Sequence, residues 1–405
     1  MPNRNKQVFD ESESVDACLV VPTYNRPHFL ARSLFYLRDL NFPHPIVIAD
    51  SSSEPGLSAN RKIVDSLVES LRIQHKQFSP KTSPDTKIAA ALSTVKSTYS
   101  VVCGDDDYVV PAAIEECAAF LNSNPDFDCA HGCVLGLYAV EPEDHGRIVG
   151  WRPLDSNTPR SSIRLRRQTQ TTIDDPDVST RLRQHLLHYE STFYSVNRRT
   201  KMIRQMKLAS DLTDDLFFGE LLPSCLGVIQ GKVKYLDILY NVRPYHPPDL
   251  ATKFAQRLDL PEMIVSDGYS KKYVRFRDCL AEELSTVSGK PMKESSRIID
   301  QIFAEYIANY LESYFAIQGQ ESRFQRTMRH FWKTLRVAPE LIRSAFLEGQ
   351  LLSIVSSPRQ SVRMASWLSA SHGYLRLNQC SRAYQKGFLP IWESVLRYPS
   401  GVQSL

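Results

Sequence analysis

The chain predicts an α/β fold, a mostly parallel sheet flanked by helices, with a helical domain following it toward the C-terminus. Three observations predict it. Short apolar runs alternate with helical segments between about Val15 and Tyr138. Three of those runs end in polar or acidic residues, at Pro22-Thr23-Tyr24-Asn25, Asp50-Ser51 and Asp105-Asp106-Asp107. After Pro247-Pro248 the pattern becomes helix-dominated. Alternating β and α segments argue for parallel strands joined by helical crossovers, and such sheets gather ligands at the carboxyl ends of their strands.

The elements follow in order. Ala17-Cys18-Leu19-Val20-Val21 reads as a strand stopped by Pro22, and the next helix carries Leu30, Leu34, Leu37 and Leu40 on one face. Pro45 to Asp50 is a second strand ending in an acid. A helix follows around Ala59 to Glu69, a strand near Arg72 to Phe78, and a helix over Thr86 to Lys96. The strand that then carries the three aspartates completes this half. Residues Glu141 to Pro176, rich in Pro, Asp, Arg, Ser and Thr, break the periodicity and read as an insertion, either disordered or a lid. Helical Val178 to Tyr189, strand-like Ser191 to Val196, an acidic helix start at Thr213-Asp214-Asp215 and a strand over Val233 to Leu239 restore it. Ser296 to Gln318 forms a helix with a broad aromatic face suited to packing or homo-oligomerisation. The resulting division is a flexible N-terminus over 1–14, an α/β domain over 15–250 with its insertion at about 141–176, and a helical accessory or oligomerisation domain over 251–405.

With 405 residues, 42% hydrophobic and 23% charged, the chain has the composition of a folded globular protein. A net charge of +4 suits anionic ligands and is too small to imply a nucleic-acid-binding protein. The eight cysteines are scattered through mostly apolar runs, and no second Cys/His pair accompanies Cys129 and Cys133 at zinc-finger spacing. Free buried thiols in a reducing, cytoplasmic setting are expected. The polar start lacks the pattern of a signal peptide, and no apolar stretch approaches the ~20 residues that cross a bilayer.

The acids carry the chemistry. Val101-Val102-Cys103-Gly104 runs into three adjacent carboxylates, which repel one another where a buried strand emerges. A hard divalent cation, Mg²⁺ or Mn²⁺, relieves that repulsion and often shares its oxygen ligands with substrate phosphates. Asp50, directly after an apolar strand, needs a hydrogen-bonding partner. Arg26 and Lys87 read either as ligand contacts or as solvated surface charges.

Together, Pro22-Thr23-Tyr24-Asn25-Arg26, the strand ending in Asp50-Ser51, the Lys87 helix, the Asp105-Asp106-Asp107 triplet with Pro111 after it, the acidic helix start and Tyr240-Asn241-Val242-Arg243 with His246 resemble family-2 glycosyltransferases of the GT-A fold. The likeness covers roughly residues 15–250. It implies transfer of a sugar from a nucleotide diphosphate, UDP favoured, to an acceptor hydroxyl, with inversion and with Mn²⁺ or Mg²⁺. It implies donor contacts from Pro22, Thr23, Tyr24, Asn25, Arg26, Asp50, Ser51, Lys87, Asp105 and Asp106, and metal contacts from Asp107 and His246. It implies a proton acceptor from the helix start, in the order Asp215, Glu220, Asp214. Gly104 departs from the family by standing where its first acid often lies, which leaves the duties of Asp105 and Asp106 open. Trp151 and the arginines from Arg160 to Arg167 fall where the family places acceptor-binding structure. The acceptor itself (glycan, glycolipid, protein or modified nucleic acid) stays open. Two other classes fit the same sheet, a nucleotidyltransferase on a sugar phosphate and a non-catalytic nucleotide-sugar-binding protein. The first would carry a Gly-rich basic loop where Pro22 to Arg26 stands.

Overall fold

The computed structural model describes residues 16–142, 148–152, 163–167, 171–212, 216–244, 260–264, 266–317, 374–375 and 382–397. Strand β1 (Ala17–Thr23) is nearly all buried and lies parallel to β2 (Ile46–Asp50) and to β4 (Tyr99–Val102), and β3 (Ile73–Gln77) extends the parallel set beyond β2. Strands buried on both faces have to be apolar throughout, as Leu19-Val20-Val21 and Ile46-Val47-Ile48 are. The register pairs Thr23 with Asp50 and Val20 with Val102, so three loop starts meet at one edge of the sheet.

Helices cover both faces. Helix α1 (Pro27–Asp39) opens with proline, a residue preformed for the first helical turn, and buries Leu30, Leu34 and Leu37 against one face. Helix α2 (Gly56–Asp65) packs on α1 and β3. Helix α3 (Pro84–Leu92) is capped by the Ser83 side chain and packs with α6 (Arg199–Leu212) against the other face.

Beyond β4 the sheet turns mixed. Strand β9 (Val196–Arg198) pairs antiparallel with β4 and with the long β6 (Phe127–Pro142). Strand β10 (Lys232–Pro244) runs parallel to β6 and antiparallel to β5 (Tyr108–Val109). Helix α4 (Pro111–Ser123) packs on β6 and β10. Part of the stretch expected to be an unpatterned insertion is sheet instead. Strands β7 (Ile148–Arg152) and β8 (Ile163–Arg167) both pair antiparallel with β6. In β8 the basic run hides a two-residue period, and Leu165 points inward with 0% exposure.

The helical half forms a second core. Helices α5 (Val178–Leu187), α7 (Leu216–Gln230), α9 (Tyr269–Ser288) and α10 (Met292–Ile317) pack together, with the short α8 (Leu260–Ile264) at their edge. Phe303 stacks on Tyr273 and contacts Phe276 and Tyr306, so the described part of the aromatic face faces inward. The short β11 (Tyr374–Leu375) pairs with β8. Helix α11 (Arg382–Arg397) sends Phe388, Ile391, Trp392 and Val395 into the core of the α/β half, beside α1 and β10. The stretch read as a separate accessory domain therefore contributes to both cores.

Candidate active site

The ends of β1, β2 and β4 build a dense polar cluster. Asn25, in the loop after β1, adopts the left-handed φ of 52°, which asparagine tolerates better than most residues. Its N–H donates to Ser52 Oγ at 2.8 Å and its Oδ1 accepts from the Ser53 N–H at 2.9 Å, which ties the two loops together. Asp50 is fully buried. It accepts from the Ser52 N–H at 2.8 Å and from Asn60 Nδ2 at 2.9 Å, and lies 2.9 Å from His75 Nε2. Lys87 reaches from α3 and donates to the Thr23 carbonyl at 2.8 Å and to Ser51 Oγ at 3.0 Å. Burial lowers its ammonium pKa to about 8, against the opposing pull of Asp105 and Asp50.

The three aspartates divide their contacts. Asp105 is fully buried and accepts from Thr23 Oγ1 at 2.7 Å. The Arg26 guanidinium forks between Asp105 and Asp106, donating to Asp106 Oδ2 at 2.9 Å. Asp107 accepts from Arg243 Nε at 3.1 Å. Burial raises the carboxyl pKa of Asp105 against the pull of Arg26, and that of Asp107 against the pull of Arg243.

A divalent cation fits Asp106 and Asp107. A Cβ built on Gly104 would stand 3.0 Å from Asp106 Oδ1 and 3.4 Å from Asp107 Oδ2, so the two carboxylates crowd the space that the missing side chain leaves. Two hard oxygen donors from neighbouring acids suit Mg²⁺ or Mn²⁺, whose remaining positions substrate phosphates commonly fill. Among the described residues no group of three or more His, Cys, Asp or Glu side chains surrounds one metal position.

Arg243 forms the wall between this cluster and a cavity of about 200 Å³. Its guanidinium carbon lies 4.6 Å from the Tyr194 ring centroid, and the Tyr194 carbonyl accepts from the Tyr240 hydroxyl at 2.8 Å. His131, His185, His188, Ser191 and Ser195 line the same cavity. His185 is 2% exposed and its Nε2 has no hydrogen-bond partner among the described residues. Burial, and then His131, lower its pKa to about 3, so the ring is neutral at physiological pH.

The structure thus brings Thr23, Arg26, Ser51, Lys87, Asp105, Asp106 and Asp107 into one cluster, with Asp50 in contact behind it. Pro22 and Tyr24 are half-buried beside it and Asn25 is exposed. Glu220, on α7, is outside this cluster but borders the cavity, where its Oε1 accepts from the lining Ser191 Oγ at 2.5 Å. Asp214, Asp215 and His246 lie outside the described residues. Of the acceptor-side expectations, Trp151 is on β7, and Arg167 donates to Asp237 at 2.8 Å and to the Tyr235 hydroxyl at 2.7 Å. Sequence reasoning noted Arg243 only as part of the Tyr240 to Arg243 strand end, without a role, and passed over the histidines. Arg243 had a signal, a lone cation at the end of an apolar strand. His131, His185 and His188 had none, because they meet only through the fold.

Residues 18–190 match the family described as glycosyl transferase family 2. No curated protein matches the sequence. Among solved structures the chain is similar to S. aureus TarS 1-349 in complex with UDP-GlcNAc, at 15% identity over 73% of this chain and 72% of that one, with a TM-score of 0.44. It is also similar to the mannosyltransferase PcManGT from Pyrobaculum calidifontis in complex with GDP-Man and Mn²⁺, at 10% identity over 85% and 87%, with a TM-score of 0.39.

Proposed function

Taking as premise that residues 18–190 are a family 2 glycosyltransferase domain, we propose that the protein is an inverting, divalent-metal-dependent enzyme that uses a UDP-sugar and glycosylates an acceptor hydroxyl. One observation carries this reading. Asp106 and Asp107 crowd over Gly104 at the strand edge, and Arg243 joins Asp107 to a cavity large enough for a monosaccharide-sized group.

The acceptor oxygen attacks the anomeric carbon as the bond to the diphosphate breaks, and the hydroxyl proton passes to a carboxylate. The transition state gathers negative charge on the leaving diphosphate. A cation held by Asp106 and Asp107, with His246 as a further ligand, supplies charge stabilisation there when bound. Thr23 and Arg26 fix Asp105, and Lys87 ties the Thr23 carbonyl to the Ser51 side chain, so the nucleotide meets loops whose shape is already set. Asp50 acts through the Ser51-Ser52 turn it anchors. Asp215 is assigned as the base by its place in the motif, ahead of Glu220 and Asp214.

Release of free sugar or transferred product from a panel of UDP- and GDP-sugars, with and without Mn²⁺, tests the reading. Turnover is expected with a UDP-sugar, to depend on the metal, and to be lost in Asp107→Asn. Turnover of a nucleoside triphosphate with a sugar phosphate would establish the nucleotidyltransferase alternative instead.

A further inference from the structure

A second polar site lies behind the catalytic strand edge, around Arg32. This residue sits on α1, is 2% exposed, and neither Nη1 nor Nη2 has a hydrogen-bond partner among the described residues. Its guanidinium carbon lies 5.5 Å from the Phe29 ring centroid and 5.7 Å from that of Tyr108. Ring faces attract a cation but satisfy none of its N–H donors. Guanidinium does not shed its proton, so burial cannot neutralise it as it neutralises a lysine. A buried charge without a counter-charge is among the costliest arrangements a fold can hold.

Two more groups close the space. The Tyr108 hydroxyl, on β5, and the Ser394 hydroxyl, on α11, are buried and make no hydrogen bond of good geometry among the described residues, although they stand close to each other and to Arg32. Both Ser394 and Arg32 interact with the Tyr108 hydroxyl. Three elements thus converge a cation and two hydroxyls. Of the carboxylates near them in sequence, Asp106 is committed to Arg26 and Asp39 to Arg38 and Arg397, while Glu393, beside Ser394, is exposed. Donors gathered around a fixed positive charge, with no carboxylate bound to it among the described residues, select an anion.

We propose that Arg32, Tyr108 and Ser394 bind one small inorganic anion, of chloride or phosphate size, between α1, β5 and α11. Tyr108 directly follows Asp107, so an anion there would join α11 to the strand at which the catalytic acids end. The site is separate from the nucleotide cluster and stands or falls independently of the proposed activity.

Thermal unfolding of the full chain tests it. Potassium gluconate, whose anion is too large to enter, is replaced stepwise at constant ionic strength by potassium chloride or potassium phosphate. The melting temperature is expected to rise saturably by about 5 °C in at least one series, and the two series show which anion the site prefers. Arg32→Met, which removes the charge while keeping the volume, is expected to fold and to lose that rise. If it does not fold, Ser394→Ala and Tyr108→Phe keep the charge and are expected to weaken binding of the same anion severalfold in calorimetric titration. An equal rise in wild type and variants, or no rise in wild type, overturns the proposal.

Discussion

The two sides of Arg243 are built differently. On the nucleotide side Asp50 engages three partners, Lys87 donates twice and Asp105 is held by Thr23 and Arg26. On the cavity side His185 Nε2 is buried without a partner among the described residues. A cluster whose bonds are mostly already made, with Asn60 Oδ1 left over behind Asp50, is largely rigid before its ligand arrives and suits an invariant group such as a nucleotide. A cavity with spare hydrogen-bonding capacity is completed by what enters it, which suits an acceptor. Specificity for the acceptor should therefore lie in the cavity and catalytic power in the cluster.

The largest expected effect breaks the cluster at its junction with the cavity. Asp107→Asn should lower kcat/KM by about 10²–10³-fold while the protein still unfolds cooperatively; wild-type turnover in steady-state kinetics would remove Asp107 from the site. Next, Thr171→Trp places a large ring at the exposed rim of the cavity. It should raise the acceptor KM by roughly tenfold or more and leave calorimetric UDP affinity unchanged. A matching loss of UDP affinity would mean that the two sides are one site. Lys87→Met removes the tie between the Thr23 carbonyl and Ser51, and should weaken UDP binding by about tenfold with the acceptor KM unmoved.

The smallest effect is a slope with pH. The folded pKa of His185, about 3, lies below its ordinary value of 6.5, so the unfolded chain takes up a proton that the folded one refuses. Above 6.5 this residue makes no difference to stability. As pH falls from 6.5 toward 3 it costs up to about 1.4 kcal/mol per pH unit. Urea unfolding at pH 7, 6 and 5 should show wild type losing stability faster than His185→Asn, and parallel slopes would place the histidine in a wetter setting.

What the sequence revealed depended on distance along the chain. Strand β1, the Asp50 strand end and the aspartate triplet are each written within about ten residues and came out where expected, except that β1 runs on through Pro22, paired with Ala49, to Thr23 instead of stopping at the proline. The contact between Asp107 and Arg243 joins residues far apart and was invisible, although both were noticed singly. The Arg160 to Arg167 run looked like a charged loop because its charges masked Leu165 facing β6. The histidine-lined cavity is assembled from β6, α5 and β10, and no local pattern marks such a meeting. Asp214, Asp215 and His246 keep their assignments from motif position alone.

Helix α11 has a consequence for how the chain is made. Arg397 meets Asp39 at 3.1 Å across a sequence separation of 358 residues, and Trp392 fills the same core as β1. Synthesis proceeds from the N-terminus, so the α/β half leaves the ribosome long before the helix that completes it. Until α11 arrives, the apolar surface between α1 and β10 is exposed. Contacts this distant in sequence form slowly. A nascent chain stalled ahead of residue 382 should therefore bind holdase chaperones, and chains released after α11 should not.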